Sequence, residues 1–183
     1  AVIDSKNKAI SEVIEREGGY VDHPNDRGGP TRFGITEAVA REHGYQGSMQ
    51  HYPITKAFEI YEARYWDRLK LDSIFDLNPG LAIKLFDFGV NSGTSRAGEC
   101  LQRLLNSLNY CGRHYPDISV DGGVGPNTLK ALDSFYERRG SRGLDVLAES
   151  LNGLRIAFCV GITKDNESQE RFAYGWLSRI VGL

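Results

Sequence analysis

Apolar residues recur at helical spacing along most of the chain. Near the N-terminus, four apolar side chains between residues 9 and 14 fall on one face of a helix, which Gly18 and Gly19 end. The same spacing predicts further helices near residues 36–43, 55–65, 78–92, 95–108, 126–135, 144–162 and 172–180. The run LAIKLFDFGV, which Asn78 and Pro79 introduce, is apolar enough to be the buried central helix. We therefore predict a mainly α fold of about eight helices.

Two stretches lack this spacing. Residues 20–35 are rich in glycine and proline and favour an irregular or β-hairpin excursion. Residues 109–125 are also irregular and form the one plausible seam in the chain. We predict a first region over residues 1–108 and a helical C-terminal region over residues 109–183, packed together into one compact unit.

Composition narrows the range of functions. The 183 residues are 40% hydrophobic and 25% charged, as in ordinary globular proteins with a sizeable core. The net charge of −2 offers no general attraction to nucleic acid or to anionic membranes. No apolar stretch approaches the roughly 20 residues of a membrane span. We expect no nucleic-acid partner, no stable membrane insertion and a monomer.

The excursion at residues 20–35 holds, together with Glu17 just before it, the densest set of reactive side chains in the chain. Glu17 ends the first helix, where the negative end of the helix dipole disfavours its ionised form. Asp26 lies in an open polar turn, where it stays ionised. A protonated and an ionised carboxyl group are the pair that cleaves glycosidic bonds. The structural alternative is a solvated last-turn glutamate followed by a turn-forming aspartate.

The sequence lacks the motifs of metal hydrolases, of serine hydrolases and of nucleotide-binding proteins. The four histidines lack the HxxH or HExxH spacing of a metal hydrolase, and the three cysteines form no CxxC pair. No GxSxG motif appears, and no Gly-Lys-Ser/Thr follows the paired glycines. We therefore expect no metal site and no cofactor.

The segment from Glu17 to Thr36, EGGYVDHPNDRGGPTRFGIT, resembles the signature of glycoside hydrolase family 108. Members of this family are N-acetylmuramidases, often phage endolysins, with a lysozyme-like α+β fold. Further segments that resemble the family follow in order: Tyr65–Asp67, Phe86–Gly93, Asp121–Thr128, which resembles the opening of a peptidoglycan domain, and Gly175–Arg179.

The resemblance implies roles for individual residues. It makes Glu17 the general acid, Asp26 an electrostatic partner or base, and Thr31 a hydroxyl that positions water. The spacing of nine between Glu17 and Asp26 is that of phage-type lysozymes, whereas Thr31 comes one residue earlier than in those enzymes. Candidates for sugar binding are Tyr20, Tyr65, Trp66 and Asn91, although Tyr65 and Trp66 fit core positions equally well.

The implied activity is cleavage of the β-1,4 bond between N-acetylmuramic acid and N-acetylglucosamine in peptidoglycan. The alternatives are a lytic transglycosylase or chitinase-like activity, and a non-catalytic wall-binding or secretion accessory protein. Because residues 1–8 show no apolar signal core, we expect synthesis in the host cytoplasm. The enzyme would then reach the cell wall after the membrane becomes permeable.

Overall fold

The computed structural model describes residues 2–24 and 28–183 of the chain, without the side chains of residues 2–4. The described residues are mainly helical with one short hairpin, which confirms the predicted fold class. The elements are α1 (Val2–Glu17), β1 (Thr31–Arg32), β2 (Ile35–Thr36), α2 (Glu37–Glu42), α3 (Ile54–Tyr61), α4 (Leu71–Leu77), α5 (Pro79–Ser92), α6 (Thr94–Ser107), α7 (Pro126–Asp165) and α8 (Glu170–Val181). Short 3-10 turns cover Met49–His51 and Glu167–Gln169, and α3 continues as a π-helical turn over Glu62–Trp66.

The chain divides into two compact units, Ala1–Asp67 and Arg68–Leu183. In the first unit, α1 packs on α3. The face of α1 that the apolar spacing predicts is buried, with Ile10 and Ile14 fully inaccessible to solvent. This face packs on α3, whose Ile60 and Tyr61 are also buried. Burying such side chains contributes roughly 1.5–3 kcal/mol each.

A two-residue hairpin is the β structure of the first unit. Thr31 pairs with Thr36 and Arg32 with Ile35 in antiparallel register. The turn residues Phe33 and Gly34 both have positive φ, at 54° and 74°, as a tight I′-type hairpin turn requires. Val21 adds an antiparallel bridge to Thr31, so the described part of the predicted excursion contains a small hairpin.

In the second unit α5 lies at the centre, in contact with α4, α6 and α7. Its residues from Leu85 to Gly89 are all buried, as expected for the central helix. Asn78 caps it by accepting a hydrogen bond from the Leu81 N–H at 2.9 Å. The short helix α4 was not predicted, because its seven residues span barely two turns of apolar pattern.

The irregular stretch before α7 is held by one buried amide side chain. Gln102 of α6 donates to Asp121, to the Gly123 carbonyl and to Thr128, each at 3.0–3.1 Å. Its own carbonyl oxygen accepts from the Gly122 N–H at 2.8 Å. Both the nitrogen and the oxygen of the Gln102 amide are therefore hydrogen-bonded to the loop, which holds it against α6.

Helix α7 replaces the two helices predicted near 126–135 and 144–162. Gly140 interrupts it with φ 67° and ψ −163°, so the two predicted helices meet at a kink rather than at a loop. By length and hydropathy α7 could span a membrane, with a window of mean hydropathy 1.3 that is 33% buried. Its Arg155 is buried and pairs with Asp87, which is typical of a core helix. Absence of membrane insertion stays a prediction.

Candidate active site

Glu17 is the last residue of α1, and Gly18 ends the helix with φ +90°. The Glu17 side chain is half-buried. The Gly18 carbonyl accepts a hydrogen bond from the Phe33 N–H at 2.9 Å. The turn of the hairpin is thus fastened directly beside the glutamate.

Gly34 of that turn lies close to the glutamate side chain. A Cβ atom built on Gly34 would lie 3.2 Å from the Cβ of Glu17 and 3.5 Å from its Cγ. The Cβ and Cγ atoms of Glu17 therefore pack against the backbone of Gly34, where there is no side chain. This contact gives Glu17 a defined direction at the helix end.

Tyr61 completes the support from α3. It is buried, and its hydroxyl donates to the Phe33 carbonyl at 2.7 Å. The same hydroxyl would lie 2.7 Å from a Cβ at Gly34. The sequence pattern does not reveal this role, because an aromatic side chain at helical spacing is ordinarily a core residue.

Thr31 lies in β1 and is half-buried. Its backbone exchanges two hydrogen bonds with Val21, at 2.8 and 2.9 Å, and its hydroxyl donates to the Val21 carbonyl at 3.5 Å. The hydroxyl thus has a weak partner within the hairpin, and its predicted role in positioning water stays a prediction. Asp26, the predicted partner of Glu17, lies outside the described residues.

The four predicted sugar-binding residues have different surroundings. Tyr20 is 37% exposed, and its hydroxyl lies 3.4 Å from the Asp22 carboxylate. Tyr65 is half-buried and lies against the ring of Tyr61, with ring centres 5.5 Å apart. Both keep surface that a sugar ring could contact. Asn91 is exposed near the end of α5, in the second unit.

Trp66 is fully buried, with no solvent-accessible surface. The Lys6 ammonium group lies 5.4 Å from the centre of its ring, and Lys6 also pairs with Glu62 at 3.0 Å. An indole with no exposed face cannot stack on a glycan, so the structure corrects the sugar-binding assignment of Trp66. Of the two readings left open by the sequence, the core position is the one that the structure favours.

Among the described residues, no group of three or more histidine, cysteine, aspartate or glutamate side chains could hold a metal ion. Glu17 itself is a half-buried carboxyl group at the end of α1, beside a hairpin turn that the Tyr61 hydroxyl supports. A carboxyl group is one of the side chains that can transfer a proton to a leaving group.

Two family models match the chain in succession. Residues 10–93 match glycosyl hydrolase 108, and residues 96–181 match a predicted peptidoglycan domain. The first model includes α4 and α5, which lie in the second compact unit. The boundary predicted at residue 108 stays a prediction.

A solved structure, described as that of Brucella abortus SagA, is similar to this chain. The two are 31% identical, with a TM-score of 0.64, and the match covers 95% of this chain and 88% of the other. No curated protein sequence matches the chain. From the two family models and this likeness, the chain belongs to the glycosyl hydrolase 108 family and is a glycoside hydrolase that acts on peptidoglycan.

Proposed function

We propose that the protein is an N-acetylmuramidase, which hydrolyses the β-1,4 bond between N-acetylmuramic acid and N-acetylglucosamine, with Glu17 as the general acid. The observation that carries the proposal is the half-buried Glu17 at the end of α1, with its stem against Gly34 of the hairpin. The family match supports glycoside hydrolysis, and it includes this segment.

In the proposed reaction, Glu17 protonates the oxygen that links the two sugars. As that bond breaks, positive charge develops on the muramic acid ring. Asp26 stabilises this charge or activates the attacking water, and Tyr20 and Tyr65 offer faces to the sugars. A carboxyl separation of about 5 Å would give retention of configuration, and one of about 7–9 Å inversion.

The decisive experiment replaces Glu17 by Gln and assays the full chain on purified peptidoglycan. A lost general acid lowers the rate about 10²- to 10⁴-fold, and we expect a loss in that range. Mass spectrometry of the released fragments measures it and identifies the new sugar ends. The matched control is Glu15→Gln, since Glu15 is an exposed carboxylate on the same helix. It should keep full activity.

Near-normal hydrolysis by a folded Glu17→Gln variant would contradict the assignment of the acid. Fragments that end in 1,6-anhydro-muramic acid would instead identify a lytic transglycosylase. An Asp26→Asn variant separates the two mechanisms further, because a transglycosylase uses a single catalytic carboxyl group. We expect Asp26→Asn to lose activity at least tenfold while it keeps its circular dichroism spectrum.

A further inference from the structure

The π-helical turn that continues α3 changes which side chains reach the core of the first unit. It covers Glu62–Trp66, and the Asp67 N–H donates to the Glu62 carbonyl, five residues earlier, at 2.8 Å. Such turns are rare, and they occur frequently at functional sites. Because the turn adds one residue to the helical repeat, the side chains that follow Tyr61 leave the register of a regular α-helix.

The altered register exchanges the positions of two aromatic side chains. In a regular α-helix, residues four apart differ in direction by roughly 40° and residues five apart by roughly 140°. A continued α-helix would therefore bury Tyr65 beside Tyr61 and turn Trp66 away from the core. Instead, Tyr61 and Trp66 are 3% and 0% exposed, whereas Tyr65 is half-buried. The π-helical turn thus gives the core position to Trp66 and moves Tyr65 towards the surface.

Tyr65 stays in contact with Tyr61 after this shift. The centres of the two rings are 5.5 Å apart, and the ring planes are inclined by 34°. Tyr61 in turn reaches the hairpin, where its hydroxyl donates to the Phe33 carbonyl at 2.7 Å. The Phe33 N–H donates to the Gly18 carbonyl, directly after Glu17. A continuous series of contacts therefore joins the half-buried ring of Tyr65 to the turn beside the proposed acid.

The backbone that accepts the Tyr61 hydroxyl is strained. Phe33 has φ +54°, in the left-handed region that a bulky side chain rarely adopts. A residue keeps such a conformation only where its surroundings determine it. For Phe33, the bond to Gly18 fixes the N–H and the bond from Tyr61 fixes the carbonyl. Loss of the hydroxyl would release the carbonyl side of the turn, from which Gly34 extends against the stem of Glu17.

We propose that Tyr61 is a positioning residue for hydrolysis, which holds the hairpin turn against Glu17 through the Phe33 carbonyl. Tyr65, which the π-helical turn brings to the surface against Tyr61, contacts the sugar and transmits that contact to the same turn. This rests on the proposed function in that Glu17 is the acid. Substrate binding and placement of the acid are thereby coupled, since binding energy from remote parts of a substrate can orient the reacting groups.

The test compares Tyr61→Phe with the unchanged full chain on solubilised peptidoglycan strands over a range of concentrations. We expect kcat to fall by about tenfold or more, with KM within about twofold, because the ring stays against Tyr65 while the bond to Phe33 is lost. The matched control is Tyr115→Phe in the second unit. Tyr115 is also buried, and its hydroxyl also donates to a backbone carbonyl, that of Leu105, at 2.6 Å. This control should keep both constants.

Two further variants test the contacts on either side of Tyr61. A Cβ on Gly34 would lie 2.7 Å from the Tyr61 hydroxyl, so Tyr61→Phe makes room for Gly34→Ala. In the double variant the two losses of kcat should therefore not multiply. Tyr65→Ala should raise KM about threefold to tenfold, since the sugar loses an aromatic face. It should also lower kcat, because Tyr61 loses the ring that packs on it. Near-UV circular dichroism establishes the folded concentration of each variant.

An unchanged kcat of folded Tyr61→Phe would overturn the positioning role, as would an equal loss in Tyr115→Phe or losses that multiply in the double variant. Unchanged constants for Tyr65→Ala would overturn the coupling to the substrate. The proposed function fails in a different way. Normal hydrolysis by folded Glu17→Gln contradicts the acid, whatever Tyr61→Phe does. Inactive Glu17→Gln together with normal Tyr61→Phe overturns the positioning role and leaves the acid in place.

Discussion

Because Gly34 has no side chain, the hairpin turn can pack directly against the proposed acid, Glu17. Gly34 lets the hairpin turn approach the end of α1, so that the Glu17 stem rests on bare backbone. The backbone conformation of Gly34, with φ +74°, is one that other residues adopt only with strain. Space and conformation therefore both require glycine at this position.

Gly34→Ala should lower the rate of peptidoglycan hydrolysis at least tenfold, because the new methyl group displaces the Glu17 stem or the Tyr61 hydroxyl. The matched control is Gly29→Ala. Gly29 has a similar φ of +69°, but no atom of the described residues lies within 4 Å of its added Cβ. Both changes carry a strain of about 1–2 kcal/mol. If the two variants lost activity equally, strain alone would explain the loss and the contact with Glu17 would be irrelevant.

At this scale the sequence indicates candidate residues but not their surroundings. The reactive residues around Glu17 and their glycine-rich setting could be read from composition and local pattern. The hydrogen bond from Tyr61 to Phe33 could not, because it joins residues 28 positions apart. The burial of Trp66 was undecided for the same reason, since an aromatic residue in a helical stripe fits a core or a cleft equally well.

Between elements, the second unit depends on one close approach of backbones. A Cβ on Gly98 of α6 would lie 2.4 Å from the Gly122 carbonyl oxygen, and a Cβ on Gly122 would lie 2.7 Å from that of Ser95. The backbones of α6 and of the loop before α7 thus lie in direct contact, because Gly98 and Gly122 have no side chains. The buried Gln102 amide closes the same contact with hydrogen bonds.

Gly98→Ala should lower the free energy of unfolding by about 1–3 kcal/mol, because rigid backbone must move to admit the methyl group. Urea denaturation followed by circular dichroism measures it. The comparison is Gly153→Ala in α7, where the added Cβ has no atom within 4 Å in the part of the chain that the structure describes. That variant should be more stable by about 0.5–1 kcal/mol, since alanine favours the helix. Equal stability of the two variants would contradict the interlocking role of Gly98.

The periodic pattern predicted the long helices and the central position of α5, because burial of one face leaves a regular signal. It missed α4, a helix that follows Lys70 in the left-handed conformation, with φ 55°. It also divided α7 in two, because Gly140 and its polar neighbours look like a loop. Packing of both halves in the second unit, rather than local propensity, keeps the chain helical on either side of the kink.

For the molecule as a whole, the second unit contains a buried charge cluster. Asp87 of α5 pairs with Arg155 of α7 at 2.7 Å and with Arg179 of α8 at 2.6 Å. Burial opposes ionisation of Asp87, but the two arginines outweigh it and hold the pKa of this carboxyl below its usual range. Three helices far apart in sequence therefore share one carboxylate.

This cluster predicts how stability depends on pH. Because the pKa of Asp87 is lower in the folded than in the unfolded chain, its contribution is fully present above about pH 4. It is lost as the pH falls towards the folded value. Asp87→Asn should cost about 3 kcal/mol at neutral pH, since Arg155 is left buried without its partner, and should flatten the decline in acid. Urea denaturation from pH 7 to pH 3 measures both effects.

The pair of Lys84 and Glu149, 3.0 Å apart with the Glu149 side chain 73% exposed, serves as the comparison. Glu149→Gln should change stability by less than about 1 kcal/mol. An equally small effect of Asp87→Asn would show that the buried cluster is not a determinant of stability. No local pattern in the sequence reveals this cluster, because its members are separated by 68 and 24 residues.

The two attachments of the hairpin segment have a consequence for how such an enzyme can diversify. Phe33 donates a backbone hydrogen bond to Gly18, and Val21 pairs with Thr31. These contacts fix both ends of the segment between residues 22 and 30. In the proposed mechanism the acid lies outside this closed segment and its partner Asp26 lies inside it. Insertions or deletions between residues 22 and 30 would therefore shift one carboxyl group and leave the other in place. Related enzymes could in this way change the separation of the two carboxyl groups, and with it the stereochemistry of hydrolysis. The sequence of α1, which carries the acid, would not have to change.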